Sequence, residues 1–225
     1  MSSPDLIEQA RARLAAISAE LAPGADDNPL LPRVAAGSAP LTALAALAGE
    51  QSRIIPSDRR SFLLLATRAS GTAASEFFAL LAAGENLAEA HLPALAAAAG
   101  LDAAGLADYR ITPGAQAYPA YVAALALGGR PADVVLALVA NFAAWGEACG
   151  VLGKALREHY GFDDDACAFV DFFATPSPEL EAAALAAVAG ALEAGEALTE
   201  AGTYGRLLQA YEAMFWRTLA AVDAP

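Results

Sequence analysis

The chain has 225 residues, of which 57% are hydrophobic and 17% charged, and its formal net charge is −13. This acidic balance repels a phosphate backbone and leaves no basic stripe, so we expect no direct binding of nucleic acid. About a quarter of the residues are alanine, the strongest helix former, and runs rich in Val, Ile and Thr are scarce. The composition predicts an all-α protein.

Serine, proline and glycine mark the predicted helices, because Ser caps a helix, Pro suits its first turn and Gly ends it. The first five are predicted near residues 3–21, 28–37, 40–68, 74–99 and 103–107, and Pro56 is expected to kink or break the third. Residues 111–114 are predicted as a loop. The later helices are predicted near residues 119–127, 131–159, 163–173, 177–194 and 203–221. With no long linker and no internal repeat, residues 1–225 are predicted to form one bundle of roughly eight to ten helices.

The mean hydropathy is positive, at +0.41, so a membrane-spanning segment has to be considered. The densest apolar run, residues 134–145, is too short, because a span needs about twenty residues, and it contains Asn141. No positively charged leader followed by an apolar stretch is visible at the N-terminus. We therefore expect a cytoplasmic protein that does not associate with membranes.

The most informative stretch is the last predicted helix, where a carboxylate interrupts an apolar face. Leu208, Phe215 and Leu219 share that face at helical spacing, and Glu212 lies among them. A buried carboxylate is costly unless it is paired, and such groups often have a raised pKa and mark functional sites. Glu212 is therefore a candidate site residue. The alternative is a glutamate at the edge of the core, paired with an arginine of a neighbouring helix.

Two further pairs of residues are candidates for the same site. Tyr118 and Tyr121 stand at the entrance of a predicted helix, where tyrosines combine packing with one hydroxyl hydrogen bond. Asn141 lies in the most apolar helix, one turn before Trp145, and an unpaired amide is costly in a core. A structural role is the alternative for each pair: packing for the tyrosines, and a bond to neighbouring backbone for Asn141.

A third pair, Glu50 and Arg53, lies just before Pro56. An acid and a base three residues apart usually form a surface ion pair that contributes little. Here the neighbours Leu47 and Ile54 are apolar, so partial burial is expected. Glu50 and Arg53 are therefore candidates for polar recognition of a ligand.

The order and spacing of these sequence motifs resemble those of the TenA/thiaminase II family. That family belongs to the haem-oxygenase-like superfamily, which also includes the oxidase that completes pyrroloquinoline quinone. The resemblance covers about residues 28–219 and implies an all-α, single-domain, haem-oxygenase-like multi-helix bundle that forms a homodimer or homotetramer. Its landmarks are Tyr118-x-x-Tyr121, Trp145-Gly146-Glu147, the aromatic patch at residues 169–173, and Tyr211-Glu212-x-x-Phe215-Trp216.

In TenA enzymes an aspartate on an early helix, a cysteine nucleophile and a late glutamate act on an aminopyrimidine that stacks on aromatic side chains. By position, the resemblance makes Glu212 the late glutamate, Tyr118 a site tyrosine and Glu50 the early acid. Asn141 holds the position of the nucleophile, and an amide cannot replace a thiolate in covalent catalysis. The remaining ligand-binding residues that the resemblance implies are Arg53, Tyr121, Trp145, Phe173 and Trp216.

A second branch of the superfamily holds two irons with Glu and His, one set being arranged as His-x-x-x-Asp-x-x-His. This chain has only His91 and His159. Glu85, six residues before His91, imitates the first half of that pattern, but the second half is missing. We therefore expect no metal and no cofactor. Cys149 and Cys167 have no metal or redox spacing and are expected to be buried apolar residues.

Three functions remain open at this point. The first is a TenA-like protein that binds a small planar heterocycle, an aminopyrimidine or thiamin-related compound, with Glu212 as general acid/base if the protein is a hydrolase. The second is a non-catalytic binding or regulatory protein on the same fold. The third is a quinone oxidase, which fits less well because that branch places many His and Arg residues around an anionic substrate.

Overall fold

The computed structural model describes residues 3–222. These residues form ten α-helices and no strand. The helices are α1 (Ser3–Glu20), α2 (Leu30–Ala35), α3 (Leu41–Arg68), α4 (Ala74–Ala98), α5 (Ala103–Ala107), α6 (Pro113–Gly128), α7 (Pro131–Tyr160), α8 (Asp164–Ala174), α9 (Pro178–Glu193) and α10 (Ala201–Ala220).

The capping residues that the sequence predicted lie at helix ends in the structure. The Asp163 side chain accepts a hydrogen bond from the Ala166 amide at 2.9 Å and so caps α8. Ser177 caps α9 in the same way, one residue before Pro178. At the other end of α7, Gly161 has φ +71°, a left-handed conformation that glycine adopts without steric cost and that ends the helix.

Of the kink or break expected at Pro56, the break does not occur, because α3 continues from Leu41 to Arg68. One predicted boundary is wrong. The predicted loop at residues 111–114 extends only to Thr112, and α6 begins at Pro113. A proline suits that first position, since its missing N–H would have no partner inside the helix in any case. Pro119 therefore lies inside α6 rather than at its start.

One helix of the described part of the chain, α7, is long and apolar enough to cross a membrane, by length and composition only. This corrects the expectation that no stretch would qualify. Half of the apolar window is buried inside the protein, and α7 contacts α1, α2, α8, α9 and α10. The core helix of a bundle passes the same test, so the result is weak evidence for a membrane span.

The apolar core consists of two clusters, and five helices run through both of them, α3, α4, α6, α7 and α10. Along all of these helices except α6, the change of cluster coincides with a buried polar residue. In α3, residues up to Ile55 belong to one cluster and residues from Phe62 to the other, with Asp58 between them. A polar layer therefore crosses the bundle between the clusters. The other residues of this layer are Glu85 on α4, Asn141 on α7 and Glu212 on α10.

Candidate functional site

A narrow cavity of about 50 Å³ lies at this polar layer. Six helices supply its walls, so the site depends on the whole bundle rather than on one motif. Carboxyl, amide and phenol groups provide the polar part of the lining, and aromatic rings provide most of the apolar part. The lining residues are Gln51, Ile54, Asp58, Glu85, Tyr118, Asn141, Phe142, Trp145, Phe173, Glu212 and Phe215.

Asn141 is the centre of a hydrogen-bond network on one side of the cavity. Its Oδ1 accepts from the Tyr118 hydroxyl at 2.9 Å, and its Nδ2 donates to Oε2 of Glu212 and to Oε1 of Gln209. The other oxygen of the Glu212 carboxyl, Oε1, accepts from the indole Nε1 of Trp216 at 3.0 Å. The buried amide and the buried carboxyl thus satisfy each other, which is why an apolar helix tolerates Asn141.

The environment of Glu212 places its ionisation close to neutral pH. Burial raises its pKa to about 7, against the opposing effect of the hydrogen bonds from Trp216 and Asn141. Glu212 is only 9% exposed, yet it lines the cavity. A group with such a pKa can both donate and accept a proton at physiological pH, as general acid/base chemistry requires.

A second acidic group lies on the α3 and α4 side of the cavity. Asp58 is 4% exposed, and its Oδ1 has no hydrogen-bond partner among the described residues. Burial raises the pKa of Asp58. Burial is also the main cause that raises the pKa of Glu85, and the negative charge of Asp58 raises it further. The pKa of Tyr118 is raised by its own burial, and then by the charges of Asp58, Glu212 and Glu85.

Asp58 is not among the residues predicted from the sequence, and Glu85 was predicted only as part of an incomplete metal pattern. A usable signal was present: Gln51, Ile54 and Asp58 follow one another at intervals of three and four residues and so share one face of α3. Between residues 3 and 222, no three or more His, Cys, Asp or Glu side chains are grouped so that they could hold a metal ion.

The aromatic wall is built around Trp145. Its ring stacks on Trp216, with the centroids 5.3 Å apart and the planes 28° apart, and meets Phe173 edge to face at 5.8 Å. Trp145 and Phe173 line the cavity, as the resemblance implies. Trp216 lies behind this wall, where it contacts Trp145 and Glu212 and lines a neighbouring groove.

Besides Trp216, three predicted site residues lie outside the cavity lining. Glu50 is fully buried and points to the start of α6, where its carboxylate accepts from the Thr112 amide and hydroxyl at 2.8 Å each and from Gln116 at 2.6 Å. Arg53 is exposed and donates to the Ala107 carbonyl at 3.1 Å rather than pairing with Glu50. Tyr121 packs against Tyr211 at 5.3 Å, outside the cavity lining.

The position expected for Glu50 is taken by its neighbour, Gln51, which lines the cavity. One residue corresponds to a rotation of about 100° around a helix axis, so adjacent residues face different neighbours. Both cysteines are buried, as predicted, and burial is the main cause that raises the pKa of each thiol.

No family model and no curated protein matches the sequence. Two solved structures do match the fold over nearly their whole length. A TenA homologue from P. horikoshii OT3 has a TM-score of 0.65 at 14% identity, over 95% of this chain and 97% of its own. A TenA homologue from Pseudomonas syringae pv. tomato has a TM-score of 0.70 at 12% identity, over 99% and 96%. At these identities the similarity shows the fold alone: this chain has the all-α bundle fold of these TenA homologues.

Proposed function

We propose that this protein binds a small planar heterocycle of the aminopyrimidine class in the cavity, with Glu212 as the residue that recognises the ring. The observation that carries the proposal is the buried Glu212 carboxyl, whose pKa is raised to about 7 beside the aromatic wall. An aminopyrimidine presents a ring nitrogen next to an amino group, and a carboxyl can meet that acceptor–donor pair with two hydrogen bonds. The aromatic side chains in the lining of the cavity can stack on a flat ring.

If the protein catalyses a reaction, Glu212 is the proton donor and acceptor for a water-dependent step. Asn141, at the position that the resemblance gives to the nucleophile, cannot form a covalent intermediate. Cys149 does not replace it, because that thiol is fully buried, lies outside the cavity lining and has its pKa raised by burial and by the Glu212 charge.

A non-catalytic binding protein is the second candidate. It is favoured by the same amide at position 141 and by the saturation of both Glu212 oxygens by Asn141 and Trp216. The oxidase hypothesis is disfavoured, because three carboxyl groups line the cavity and Lys, Arg and His are absent from its lining residues. The cavity lining therefore offers no cationic side chain to bind an anionic quinone. A homodimer or homotetramer and a cytoplasmic location remain predictions.

The test is calorimetric titration with 4-amino-5-aminomethyl-2-methylpyrimidine. We expect saturable binding that falls at least about tenfold in Glu212→Gln, because the amide can form the same two hydrogen bonds but cannot carry the charge or share the proton that a carboxyl exchanges with the ring nitrogen. Glu193→Gln, which removes the same charge from the exposed side of α9, is the control and should bind normally. Absence of binding to the wild-type protein would refute the proposal. Binding without turnover would favour the non-catalytic candidate.

A further inference from the structure

The cavity is smaller than the ring that the proposed function assigns to it. Its volume is about 50 Å³, whereas benzene binds in an engineered protein cavity of about 150 Å³. A ring can therefore enter only if one wall of the cavity moves. Most of the lining residues are buried, and the partly exposed ones are Tyr118, Phe142, Trp145 and Phe173.

A surface groove lies on the other side of this partly exposed wall. The groove has a volume of about 850 Å³ and runs between α1, α7, α9 and the segment that joins α8 to α9. Among the described residues, Phe142 and Phe173 are the two that line both the groove and the cavity. Their side chains therefore form the partition between the two spaces.

The groove that Trp216 lines also meets the cavity, but at a wall that is held in place. The residue that these two spaces share is Glu212, which is buried. Its two carboxyl oxygens accept hydrogen bonds from Asn141 and from Trp216. Opening the cavity on that side would break both bonds, so the partition of Phe142 and Phe173 is the better entrance.

Phe173 is the firmly held half of this partition. Its ring meets those of Phe169 and Phe172 at 5.2 Å each and that of Trp145 at 5.8 Å. A Cβ added at Gly146 would lie 3.0 Å from the Phe173 carbonyl oxygen, so the backbone at Phe173 also packs closely against α7. Moving Phe173 would disturb the whole aromatic wall.

Phe142 is held by fewer contacts of this kind. Within residues 3–222 its ring has one aromatic neighbour, Phe62, which it meets edge to face at 6.3 Å. Rotation about the Cα–Cβ bond moves a side chain between staggered rotamers, and the groove provides space for the ring outside the cavity. Phe142 is therefore the half of the partition that can move while the aromatic wall stays in place.

We propose that the groove between α1, α7 and α9 is the entrance to the cavity, and that Phe142 is the gate through which a ligand passes. When the ring of Phe142 turns into the groove, the two spaces join and the cavity gains the volume that the ring has left. This inference rests on the proposed function for the identity of the ligand, but it concerns only how the cavity is reached.

Acrylamide quenching of Trp145 fluorescence tests the gate without a ligand. Trp145 lines the cavity but not the groove, and Trp216→Phe removes the other tryptophan, so the signal reports on the cavity. In that background Phe142→Ala should raise the quenching rate constant about threefold or more, and Phe142→Leu should raise it less. Leu14→Ala, which shortens a side chain that lines only the groove, is the matched control and should leave the constant unchanged.

Stopped-flow binding of 4-amino-5-aminomethyl-2-methylpyrimidine separates this inference from the proposed function. A gate acts on entry and exit alike, so Phe142→Ala should raise both rate constants about tenfold and change Kd by less than about threefold. Circular dichroism verifies folding first, and Phe142→Leu carries the test if Phe142→Ala does not fold.

Each outcome decides between the two proposals. If quenching rises in the Phe142 variants but the pyrimidine does not bind, the gate stands and the proposed function fails. If the pyrimidine binds but the variants change neither quenching nor the rate constants, the gate fails and the proposed function stands. A change in affinity with unchanged quenching would make Phe142 a binding residue and would also overturn the gate. If quenching stays the same and nothing binds, both are overturned.

Discussion

The indole Nε1 of Trp216 lies 3.0 Å from Oε1 of Glu212, one turn earlier on the same helix. This hydrogen bond lowers the pKa of Glu212, whereas burial raises it, and the balance lies at about 7. Trp216 also stacks on Trp145, so one side chain connects the aromatic wall with the ionisation of the carboxyl group. Its contribution to the site is thus indirect, because it does not line the cavity itself.

Replacing Trp216 by Phe should raise the pKa of Glu212 above about 7, since the ring is kept but the donor is lost. The measurement is a pH titration of the Glu212 carboxyl carbon by NMR, assigned by comparison with Glu212→Gln. Tyr211→Phe is the control, because it removes a hydroxyl from α10 that does not bond to Glu212. A pKa that stays the same or falls in Trp216→Phe would contradict this account.

The raised pKa of Glu212 also predicts how stability depends on pH. Because the ordinary pKa of 4.5 applies to the unfolded chain, the folded protein holds a proton between pH 4.5 and about 7 that the unfolded chain releases. The stabilising effect is therefore complete below about pH 4.5 and is lost as the pH rises through 7. From pH 5.5 to 8 this loss amounts to roughly 2 kcal/mol, at about 1.4 kcal/mol per pKa unit.

Urea unfolding at pH 5.5 and pH 8 measures this loss. The wild-type protein should lose roughly 2 kcal/mol more than Glu212→Gln between the two pH values. Asp58 and Glu85 also have raised pKa values and act in the same direction, but they are present in both proteins and so cancel in the comparison. Equal losses in the two proteins would show that Glu212 ionises near its ordinary pKa.

Substitutions of the neighbours Glu50 and Gln51 should affect different properties, stability for Glu50 and ligand affinity for Gln51. Glu50→Gln places an amide among the donors of Thr112 and Gln116, and we expect it to lower the free energy of unfolding by about 2–4 kcal/mol. Gln51→Leu should leave stability within about 1 kcal/mol but change the affinity for the aminopyrimidine, because Gln51 lines the cavity. Thermal unfolding and calorimetry test the two effects. A specific loss of affinity in a stably folded Glu50→Gln protein would restore Glu50 to the site.

Arg68, the last residue of α3, caps the C-terminal end of α6. Its guanidinium donates to the carbonyl groups of Leu125, Ala126 and Gly129 at 3.3, 2.9 and 2.8 Å. Arg68→Met should lower the free energy of unfolding by about 2 kcal/mol, because several carbonyl groups lose a charged donor at once. Arg60→Met, on the exposed side of the same helix, should change it by less than about 0.5 kcal/mol. Equal effects of the two substitutions in urea unfolding would contradict the capping role.

Local sequence patterns were sufficient to predict the helices and some of the residues that line the cavity. Asp163, Ser177 and Gly161 act on their own helix ends, so their effect is readable without knowledge of the neighbours. Glu212 and Asn141 were recognisable because a polar residue inside an apolar helix must find a partner. The sequence also predicted the all-α fold, which the two solved TenA homologues confirm.

Only the tertiary structure decided which polar residues share the cavity. Helix periodicity places a residue on a face but does not say which helix that face meets, and α3 is buried against α4 on one side and α6 on another. Glu50 and Gln51 are both buried. Glu50 nevertheless binds the start of α6, whereas Gln51 lines the cavity. The proximity of Asp58 to Glu85 likewise exists only after α3 and α4 pack together, because nothing in either helix alone specifies it.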